Sequence, residues 1–349
     1  MVLQVGLIGC GGITRPHVDG WNALGAKAHI VAVADLSAEA AQARVEQIGY
    51  PVKIYSDYHD LLADPRVEAV DIALPHHLHR DAIVAAALAG KHLMTEKPLC
   101  LTLEEAADIA AAVKKGGIRM MAAHNQIFFP AVQQAKNMIL QGDLGRVHMV
   151  YSADAGARRN PLNPNKAAWG KPPSAAESGY TWRSDPAKMG GGELIDTGYH
   201  PTYRLLFLAG QKVTEVAAVL GTYRIPMDRE DTANVIVKFA DGAMGQIYTS
   251  WGIRGPMARP LLFAIMGETG QLWGEPDKLY YQPVGMQTPA VTEYAGWNGN
   301  RTFAAEIAHF ADAIEKGYEP LHSVAEATET LRVILAGYRS AAEKIIVQL

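Results

Sequence analysis

The chain has 349 residues, of which 49% are hydrophobic and 19% are charged. This composition is typical of a globular protein, and the length predicts two domains rather than one core. The net charge of −4 argues against general nucleic-acid binding. The two cysteines, Cys10 and Cys100, are too few for a disulfide framework or a cysteine-rich zinc site.

The first residues, MVLQVGLIGCGG, have no basic stretch and run directly into glycines, so they do not predict a signal peptide. No uncharged apolar run approaches the ~20 residues that a membrane helix needs. We therefore expect a cytoplasmic protein that has neither a membrane nor a nucleic acid as its partner.

Residues 1–125 alternate short β-rich runs with alanine-rich amphipathic stretches. The predicted strands are VLQVGLIG, HIVAVAD, VEAVDIALP, KHLMTEKP and IRMMAAHN, and the predicted helices include SAEAAQARVEQIG, HRDAIVAAALAGK and EEAADIAAAVKKGG. This rhythm predicts βαβ units and a doubly wound parallel sheet with helices on both faces.

Residues 126–349 have a different texture, with longer strands and few helices before residue 301. VIVKFA and AMGQIYTSW are joined by Asp241-Gly242, a strong hairpin signal, and predict a large, mostly antiparallel sheet with one solvated or partner-facing side. We expect the C-terminal helices, within residues 301–349, to pack back on the N-terminal domain. The segment 156–189 is predicted to be a long loop, and such loops are often functional.

The first predicted strand ends in a glycine-rich turn, Gly9-Cys10-Gly11-Gly12-Ile13, followed by Thr14. This fits G-x-G-x-x-[GA] except at the last position, where Thr14 replaces a small residue. Because a strand precedes the turn, a helix follows it and the next strand ends in Asp35, the pattern predicts dinucleotide binding. Asp35 would accept hydrogen bonds from ribose hydroxyls and repel a 2′-phosphate, which favours NAD over NADP.

Two further segments carry chemistry. Thr-Glu-Lys-Pro-Leu, residues 95–99, follows a strand at the edge where parallel sheets bind ligands, which places Lys97 next to a substrate. GGGELIDTGYH, residues 190–200, puts Asp196 and His200 one turn apart on one face if the stretch is helical. A metal site, a nucleophile, a proton shuttle and plain helix packing are all compatible with that pair.

Taken together, these segments resemble the glucose–fructose oxidoreductase/inositol dehydrogenase (Gfo/Idh/MocA) family over essentially the whole chain. The resemblance rests on GCGG, Asp35, Pro75 and His79 in PHHLHRDAI, Glu96-Lys97-Pro98 and GGGELIDTGYH. It implies an N-terminal Rossmann domain, residues 1–125, and a C-terminal α/β domain, residues 126–349, for substrate binding and oligomerisation. It also implies a homodimer or homotetramer formed through the C-terminal sheet.

The resemblance implies that the catalytic residues are Lys97, Asp196 and His200. His200 would be the general base, because the pKa of histidine lies near neutrality. Lys97 would hydrogen-bond the reacting oxygen and stabilise a developing alkoxide. Asp196 would orient His200 or bind a neighbouring hydroxyl.

Further site residues are implied in the same way. The cofactor-binding set is Gly9, Gly11, Gly12, Ile13, Asp35, Pro75, His76, His79, Glu96, Lys97 and Asn125; the substrate-binding set is Lys97, Trp182, Arg183, Asp196 and His200. Gln126 departs from the arginine that the family often has there. Arg158, Lys166, Trp169 and Tyr180 are weaker candidates for substrate contact. The cluster of His76, His77, His79 and Asp81 does not predict a metal site, because no zinc-binding spacing supports one.

The leading hypothesis is an NAD-dependent dehydrogenase, with NADP as an alternative cofactor, acting on a sugar, cyclitol or polyol. A second hypothesis is a glycosidase that uses NAD transiently with no net redox change. A third is a non-enzymatic sensor that binds dinucleotide. The presence of Lys97, Asp196 and His200 together argues against the sensor.

Overall fold

The computed structural model describes residues 2–155, 181–225, 227–253, 261–297 and 299–349. The first half of the chain contains β1 Leu3–Ile8, α1 Thr14–Ala23, β2 Ala28–Ala34, α2 Ala38–Ile48, β3 Lys53–Tyr55, α3 Tyr58–Leu62, β4 Ala69–Ile72, α4 His79–Leu88, β5 His92–Thr95, α5 Leu103–Gly116, β6 Met120–Ala122, α6 Pro130–Gln141 and β7 Val147–Ala155. The second half contains α7 Pro186–Met189, α8 Glu193–Asp196, α9 Tyr199–Ala209, β8 Val213–Gly221, β9 Thr232–Phe239, β10 Met244–Ser250, β11 Phe263–Gly267, β12 Gly270–Glu275, β13 Lys278–Pro283, β14 Ala290–Glu293, α10 Gly299–Lys316, α11 Val324–Glu343 and β15 Val347–Gln348.

The chain divides into two compact units. The first contains Met1–Asn125 and Asn300–Thr328, and the second contains Gln126–Gly299 and Glu329–Leu349. The first unit therefore includes α10 as well as the N-terminal strands, whereas most of α11 belongs to the second unit. A substrate-binding role for residues 126–349 stays a prediction.

The sheet of the first unit runs in the order β3-β2-β1-β4-β5-β6, and its neighbouring strands are parallel throughout. The residues of β1 and β4 are largely apolar and buried, as expected for strands covered on both faces. Helices α2 and α5 begin at the side-chain caps Ser37 and Thr102 and end at the left-handed glycines Gly49 and Gly117. The predicted doubly wound Rossmann domain is confirmed.

Helix α10 packs on α1 within the first unit. A Cβ atom at Gly20 would lie 2.6 Å from Ile307 Cδ1, so the small residue permits close approach of the two helices. The rings of Trp21 and Phe310 meet edge to face with centroids 6.4 Å apart. This packing buries Glu306 of α10 completely.

The sheet of the second unit runs in the order β14-β13-β12-β11-β7-β10-β9-β8-β15. Its neighbouring strands are antiparallel except for β7 and β10, which are parallel, so the predicted mostly antiparallel sheet is confirmed. The hairpin at Asp241-Gly242 joins β9 to β10 as predicted. Only Gly242 of the pair has a positive φ, +88°, and Phe239 N–H donates to Ala243 O, so the loop is longer than a two-residue turn.

The two faces of this sheet differ in what covers them. Helix α9 packs against β7 and β10 on one face, where Gly245 makes room for Leu205. By strand alternation, the other face carries a row of paired residues across seven strands. The row consists of Ala217, Ile236, Gln246, Tyr151, Ala264, Trp273 and Tyr280. Beside it, Met149 pairs with both Met244 and Met266, and these last two are exposed.

Among the helices that the structure describes, none combines the length and the apolar character needed to cross a membrane.

Glu306 predicts a specific pH dependence of stability. Burial raises the pKa of Glu306 well above its ordinary value, and the nearby carboxylates Glu96 and Asp71 raise it further while His17 opposes them. A carboxyl whose pKa is raised in the folded chain holds its proton there, so this group makes the free energy of unfolding fall as pH rises above about 4.5.

Glu306→Gln places a side chain there that is neutral at every pH, so it should remove this fall in the free energy of unfolding. We expect the difference in melting temperature, variant minus wild type, to increase from pH 5 to pH 8, as measured by calorimetry. Glu315→Gln is the matched control, because Glu315 is exposed on the same helix. A difference independent of pH for Glu306→Gln would contradict the assignment of a buried, protonated carboxyl.

Candidate functional site

The parallel sheet of the first unit brings most predicted cofactor residues to one edge. Gly9 follows β1, Asp35 follows β2, and Pro75 with His76 follows β4. Glu96 and Lys97 follow β5, and Asn125 follows β6. Because the strands are parallel, all of these positions lie at the carboxyl edge of the sheet. The order of the strands reverses there between β1 and β4, and such switch points form ligand crevices.

The glycine turn after β1 depends on a close approach to the neighbouring strand connection. Gly9 has a φ of +92°, and a Cβ atom at this position would lie 2.2 Å from Ala73 O. Thr14 occupies the place of the third small residue, but its buried hydroxyl donates a hydrogen bond to Gly9 O at 2.8 Å. Thr14, although it departs from the expected pattern, therefore stabilises the turn through this hydrogen bond.

Open space lies over the next part of this turn. A Cβ atom at Gly11 would meet nothing within 4 Å, and Gly11, Gly12 and Ile13 are exposed. Helix α1 begins here without a side-chain cap and without an acidic residue in its first turn. Its first N–H groups and the helix dipole are therefore oriented for an anion, and a side chain at Gly11 would fill the cradle. These residues fit the pyrophosphate of a dinucleotide.

Asp35 connects the glycine turn to the second strand. Cys10 N–H donates to Asp35 Oδ2, and Ser37 N–H donates to Asp35 Oδ1, each at 2.7 Å. These bonds orient a half-exposed carboxylate at the edge of the sheet, where its charge would repel a 2′-phosphate. Burial, followed by the charge of Asp35, raises the pKa of Cys10 to about 12, so the thiol stays protonated and inert.

The connection after β4 is fastened to the connection after β5 through His79. The ring of His79 is fully buried, with Nδ1 2.6 Å from Pro98 O and Nε2 2.8 Å from Leu74 O. His79 therefore holds two turns together by backbone contacts, and its direct contact with a cofactor stays a prediction. The preceding residues Pro75 and His76 lie in the same connection, and His76 is buried.

Lys97 is half-buried in the turn after β5. Its backbone N–H donates to Glu96 Oε2 at 3.0 Å, and Glu96 N–H donates to Ile72 O of β4 at 2.8 Å. The Lys97–Pro98 peptide bond is cis. The backbone that carries Lys97 is thus held by its neighbours on both sides.

Asn125 and Gln126 follow β6. Asn125 Nδ2 donates to Thr302 Oγ1 of α10 at 2.9 Å. In the second unit, the Gln126 side chain accepts a hydrogen bond from the guanidinium of Arg204 and donates to Asp154 Oδ2 at 3.2 Å. An arginine at position 126 would bring a second cation against the buried guanidinium of Arg204.

The three glycines before the Asp–His segment have separate structural reasons. Gly190 ends α7 in the left-handed conformation, with a φ of +86°. A Cβ atom at Gly191 would lie 2.2 Å from Tyr338 Oη, and one at Gly192 would lie 2.3 Å from Glu230 O. The glycines therefore lie directly against buried groups of the second unit rather than forming an open loop.

Asp196 and His200 do not share one helix. Asp196 ends α8 and His200 lies in the first turn of α9, with Thr197 and Gly198 between the two helices. Gly198 packs against Leu194 and Thr249, where a Cβ atom would come within 2.6 Å of Leu194 O and 2.8 Å of Thr249 Cγ2. The two residues therefore belong to separate helical segments, and a common face for Asp196 and His200 stays a prediction.

Each member of this pair has a partner that orients it. Arg183 Nε donates to the buried Asp196 Oδ2 at 2.7 Å, and the guanidinium of Arg183 lies 4.2 Å from the centre of the Trp182 ring. His200 Nδ1 lies 2.7 Å from Tyr203 Oη, which also accepts the N–H of Gln126 at 3.1 Å. Lys97 belongs to the first unit and these residues to the second, so their convergence on one substrate stays a prediction.

Some residues of this environment were missed by sequence reasoning. Tyr203 follows His200 at a helical spacing of three, which was a usable signal for contact. His17 and Asp71, which lie beside Glu96, had no such signal, because they are far apart in the sequence. Arg158, Lys166, Trp169 and Tyr180 lie outside the described residues.

Comparison with known proteins identifies the family of this chain. Residues 3–124 match the model for an oxidoreductase family with an NAD-binding Rossmann fold, and residues 132–273 match the Gfo/Idh/MocA C-terminal domain. An uncharacterised oxidoreductase, YrbE, of Bacillus subtilis is 30% identical over 254 residues, which are 71% of this chain and 67% of that protein. The chain belongs to the Gfo/Idh/MocA oxidoreductase family.

Other members of the Gfo/Idh/MocA family match over nearly the whole length. A myo-inositol 2-dehydrogenase of Thermotoga maritima is 24% identical over 99% of this chain and 98% of that protein. The structure of a levoglucosan dehydrogenase in complex with NADH and levoglucosan has a TM-score of 0.88 and 27% identity, covering 100% of this chain and 99% of that one. The protein is thus an NAD-binding oxidoreductase with the predicted family fold.

Within the residues that the structure describes, no group of three or more His, Cys, Asp or Glu side chains could hold a metal ion. His79, after β4, instead has the backbone contacts described above.

The glycine turn yields a paired prediction. Gly11→Ala should leave the melting temperature nearly unchanged, because the Cβ atom meets nothing, but should weaken NADH binding at least tenfold by filling the cradle. Gly9→Ala should lower the melting temperature strongly, because its Cβ atom would meet backbone at a positive φ. NADH fluorescence titration and thermal unfolding measure the two effects. Equal NADH affinity in Gly11→Ala and wild type would contradict the assigned cradle.

Proposed function

We propose that the protein is an NAD-dependent dehydrogenase that oxidises a secondary alcohol of a sugar, cyclitol or related polyol. The observation that carries the proposal is the carboxyl edge of the parallel sheet. There the turn held by Asp35 fits a dinucleotide, and Lys97 is presented from the adjacent half of the same edge. The levoglucosan and myo-inositol dehydrogenases among the relatives support a polyhydroxylated substrate.

The proposed reaction uses Lys97 of the first unit and His200 of the second. NAD, when bound, supplies the hydride acceptor. Lys97 donates a hydrogen bond to the reacting hydroxyl oxygen and stabilises the developing negative charge. His200 accepts the hydroxyl proton, and because Nδ1 is engaged by Tyr203, we assign the proton transfer to Nε2. In the reverse direction His200 returns that proton to the alkoxide oxygen.

Asp196 and its neighbours have a binding role in this proposal. The contact with Arg183 orients the Asp196 carboxylate, so that it can accept a hydrogen bond from a second substrate hydroxyl. Trp182 and Arg183 present an aromatic face and guanidinium donors, groups that suit a sugar ring and its hydroxyls. The remaining cofactor residues of the proposal are Gly9, Gly11, Gly12, Ile13, Asp35, Pro75, His76, His79, Glu96 and Asn125.

The substrate class is tested with a panel of sugars, anhydrosugars, inositols and glycosides, including levoglucosan and myo-inositol. Each compound is incubated with NAD or NADP, and NADH or NADPH absorbance is recorded together with product release. Net reduction of NAD by a free polyol is the expected result. Release of an aglycone without net NADH would overturn the dehydrogenase and identify a glycosidase instead.

The site residues are tested by substitution. Lys97→Met and His200→Asn should each lower kcat for the oxidised polyol by about 100-fold or more, while NADH binding is retained. Lys115→Met is the control, since Lys115 is exposed on α5. Unchanged kcat in both variants would remove Lys97 and His200 from the mechanism, and absence of turnover in wild type across the panel would favour a sensor.

We also propose a homodimer or homotetramer formed through the face of the C-terminal sheet opposite α9. Ile236, which belongs to the row of paired residues on this face, is 51% exposed, and Met244 beside the row is 53% exposed. Contiguous exposed apolar residues of this kind mark association surfaces. A location in the cytoplasm remains part of the proposal and is testable by cell fractionation.

Light scattering should give the mass of a dimer or tetramer for the wild type. Ile236→Asp should lower that mass by placing a charge in the apolar interface. Val284→Asp is the matched control, because Val284 is 73% exposed in the loop after β13, outside the row. A wild-type monomer, or an unchanged mass for Ile236→Asp, would contradict association through this face.

A further inference from the structure

Four buried titratable residues lie together behind the turn that carries Lys97, and the proposed reaction uses only one of them. His17 comes from α1, Asp71 from β4, Glu96 from the turn after β5 and Glu306 from α10. All four belong to the first unit, and none is more than 7% exposed. Such groups are rarely buried unless they are paired, so their arrangement requires a physical account.

His17 lies between two carboxylates. Its Nδ1 is 2.8 Å from Asp71 Oδ2, and its Nε2 is 3.1 Å from Glu96 Oε1. A neutral imidazole has one N–H and can satisfy one of these acceptors, whereas an imidazolium donates to both. A neutral ring would fit both contacts only if one carboxyl carried the proton, whereas two ionised carboxylates fit an imidazolium. Trp21 Nε1 donates to the same Asp71 oxygen at 2.7 Å, which holds this carboxyl group in place.

The charges in this cluster are consistent with that state. Burial alone would lower the pKa of His17, but the charges and hydrogen bonds of Asp71 and Glu96 outweigh it and raise the pKa well above the ordinary value. Glu306 is the fourth titratable group that faces the ring, and burial raises its pKa well above the ordinary value, which favours its neutral form. Its two oxygens have no hydrogen-bond partner in the described part of the chain. Phe303 of α10 covers the imidazole with ring centroids 5.4 Å apart, which separates the cluster from water.

The cluster acts on Lys97 through the two oxygens of Glu96. Oε1 is held by His17, which leaves Oε2 directed at the backbone N–H of Lys97. The following carbonyl, that of Pro98, is held by His79. Loss of the charge on His17 would leave Glu96 as a buried carboxylate without its cation, and the carboxylate would then protonate or rotate away from the Lys97 amide.

We propose that His17 is a positioning residue for Lys97: as a buried imidazolium that bridges Asp71 and Glu96, it holds the Glu96 carboxylate on the Lys97 amide and so sets the direction of the lysine. This inference rests on the proposed role of Lys97 in the reaction. It adds a residue of α1 to the machinery, although His17 is itself shielded from substrate and from solvent.

The protonation state is tested first, without catalysis. The protein loaded with NAD and labelled with ¹⁵N in its histidine rings is examined by NMR, and the His17 signals are assigned by their loss in His17→Asn. We expect both His17 nitrogens to remain protonated at pH 8. Glu96→Gln, which removes one negative charge, should shift His17 to the neutral form at that pH, and His17→Gln assigns the same signals if His17→Asn folds poorly. A neutral ring at pH 7 in the unaltered protein overturns the proposal.

The action through Lys97 is tested by a double-mutant cycle. His17→Asn should lower kcat for the polyol oxidised in the panel by about tenfold to 100-fold, with KM and NADH affinity nearly unchanged. In a Lys97→Met background the same substitution should cause no further loss. His92→Asn, at the opposite end of β5, is the matched control and should leave kcat unchanged.

The outcomes separate the two proposals. If His17→Asn lowers kcat by the same factor with and without Lys97, the positioning role is wrong and His17 acts independently of the lysine. If Lys97→Met itself leaves kcat unchanged, the proposed function of Lys97 is wrong, whatever the NMR result shows for His17.

Discussion

The parallel register of five neighbouring strands is the constraint from which the rest of the first unit follows. Because β1, β2, β4, β5 and β6 run in one direction, residues that are up to 116 positions apart, from Gly9 to Asn125, reach one edge of one sheet. Space for a ligand at this edge depends on glycines in the turn after β1, because glycine carries no side chain. At Gly9 the turn lies so close to Ala73 O that a Cβ atom would be 2.2 Å from it. The fit to a dinucleotide depends on that close approach.

Behind the same edge, the chain buries four titratable side chains, those of His17, Asp71, Glu96 and Glu306. Isolated buried charges are costly, and here each is offset by a neighbour: the His17 imidazolium by Asp71 and Glu96, and the Asp71 carboxylate also by the indole of Trp21. Burial raises the pKa of Glu306 and so favours its neutral form, which limits like-charge repulsion within the cluster. The arrangement ties α1, β4, the turn after β5 and α10 to one another, so the position of the lysine depends on elements far from it in sequence.

In the second unit, too, residues distant in the sequence hold the backbone that carries the site residues. Its Asp–His segment is contacted by groups from Glu230 (just before β9), β10 and α11, and glycines at positions 191, 192 and 198 let those groups approach. Tyr338 of α11 donates to Glu230 and accepts the N–H groups of Gly192 and Ile195. These contacts fix the backbone that presents Asp196. Arg183 and Tyr203 then orient the two functional side chains, so the rigidity of the segment comes from its surroundings rather than from a long helix.

Sequence patterns were sufficient for the features that depend on near neighbours. The alternation of strands and helices, the glycine turn, the helix caps at Ser37 and Thr102 and the hairpin at Gly242 all follow from residues within a few positions of each other. The family and its NAD-binding fold were recognisable from motifs of the same short range. Asp196 and His200 lie in two helical segments rather than one, and Gly198 between them packs against Thr249, about fifty positions away, which no local pattern indicates.

What the amino-acid sequence determined by itself was therefore the order of elements and the identity of the residues at the edge of the sheet. Only the tertiary structure decided which buried groups stand behind those residues. His17 and Glu96 are separated by 79 positions, and Gly192 and Tyr338 by 146, so no local periodicity connects them. They meet because sheet register and helix packing bring distant segments together, and the charges and close contacts at those meeting points determine how the site is held.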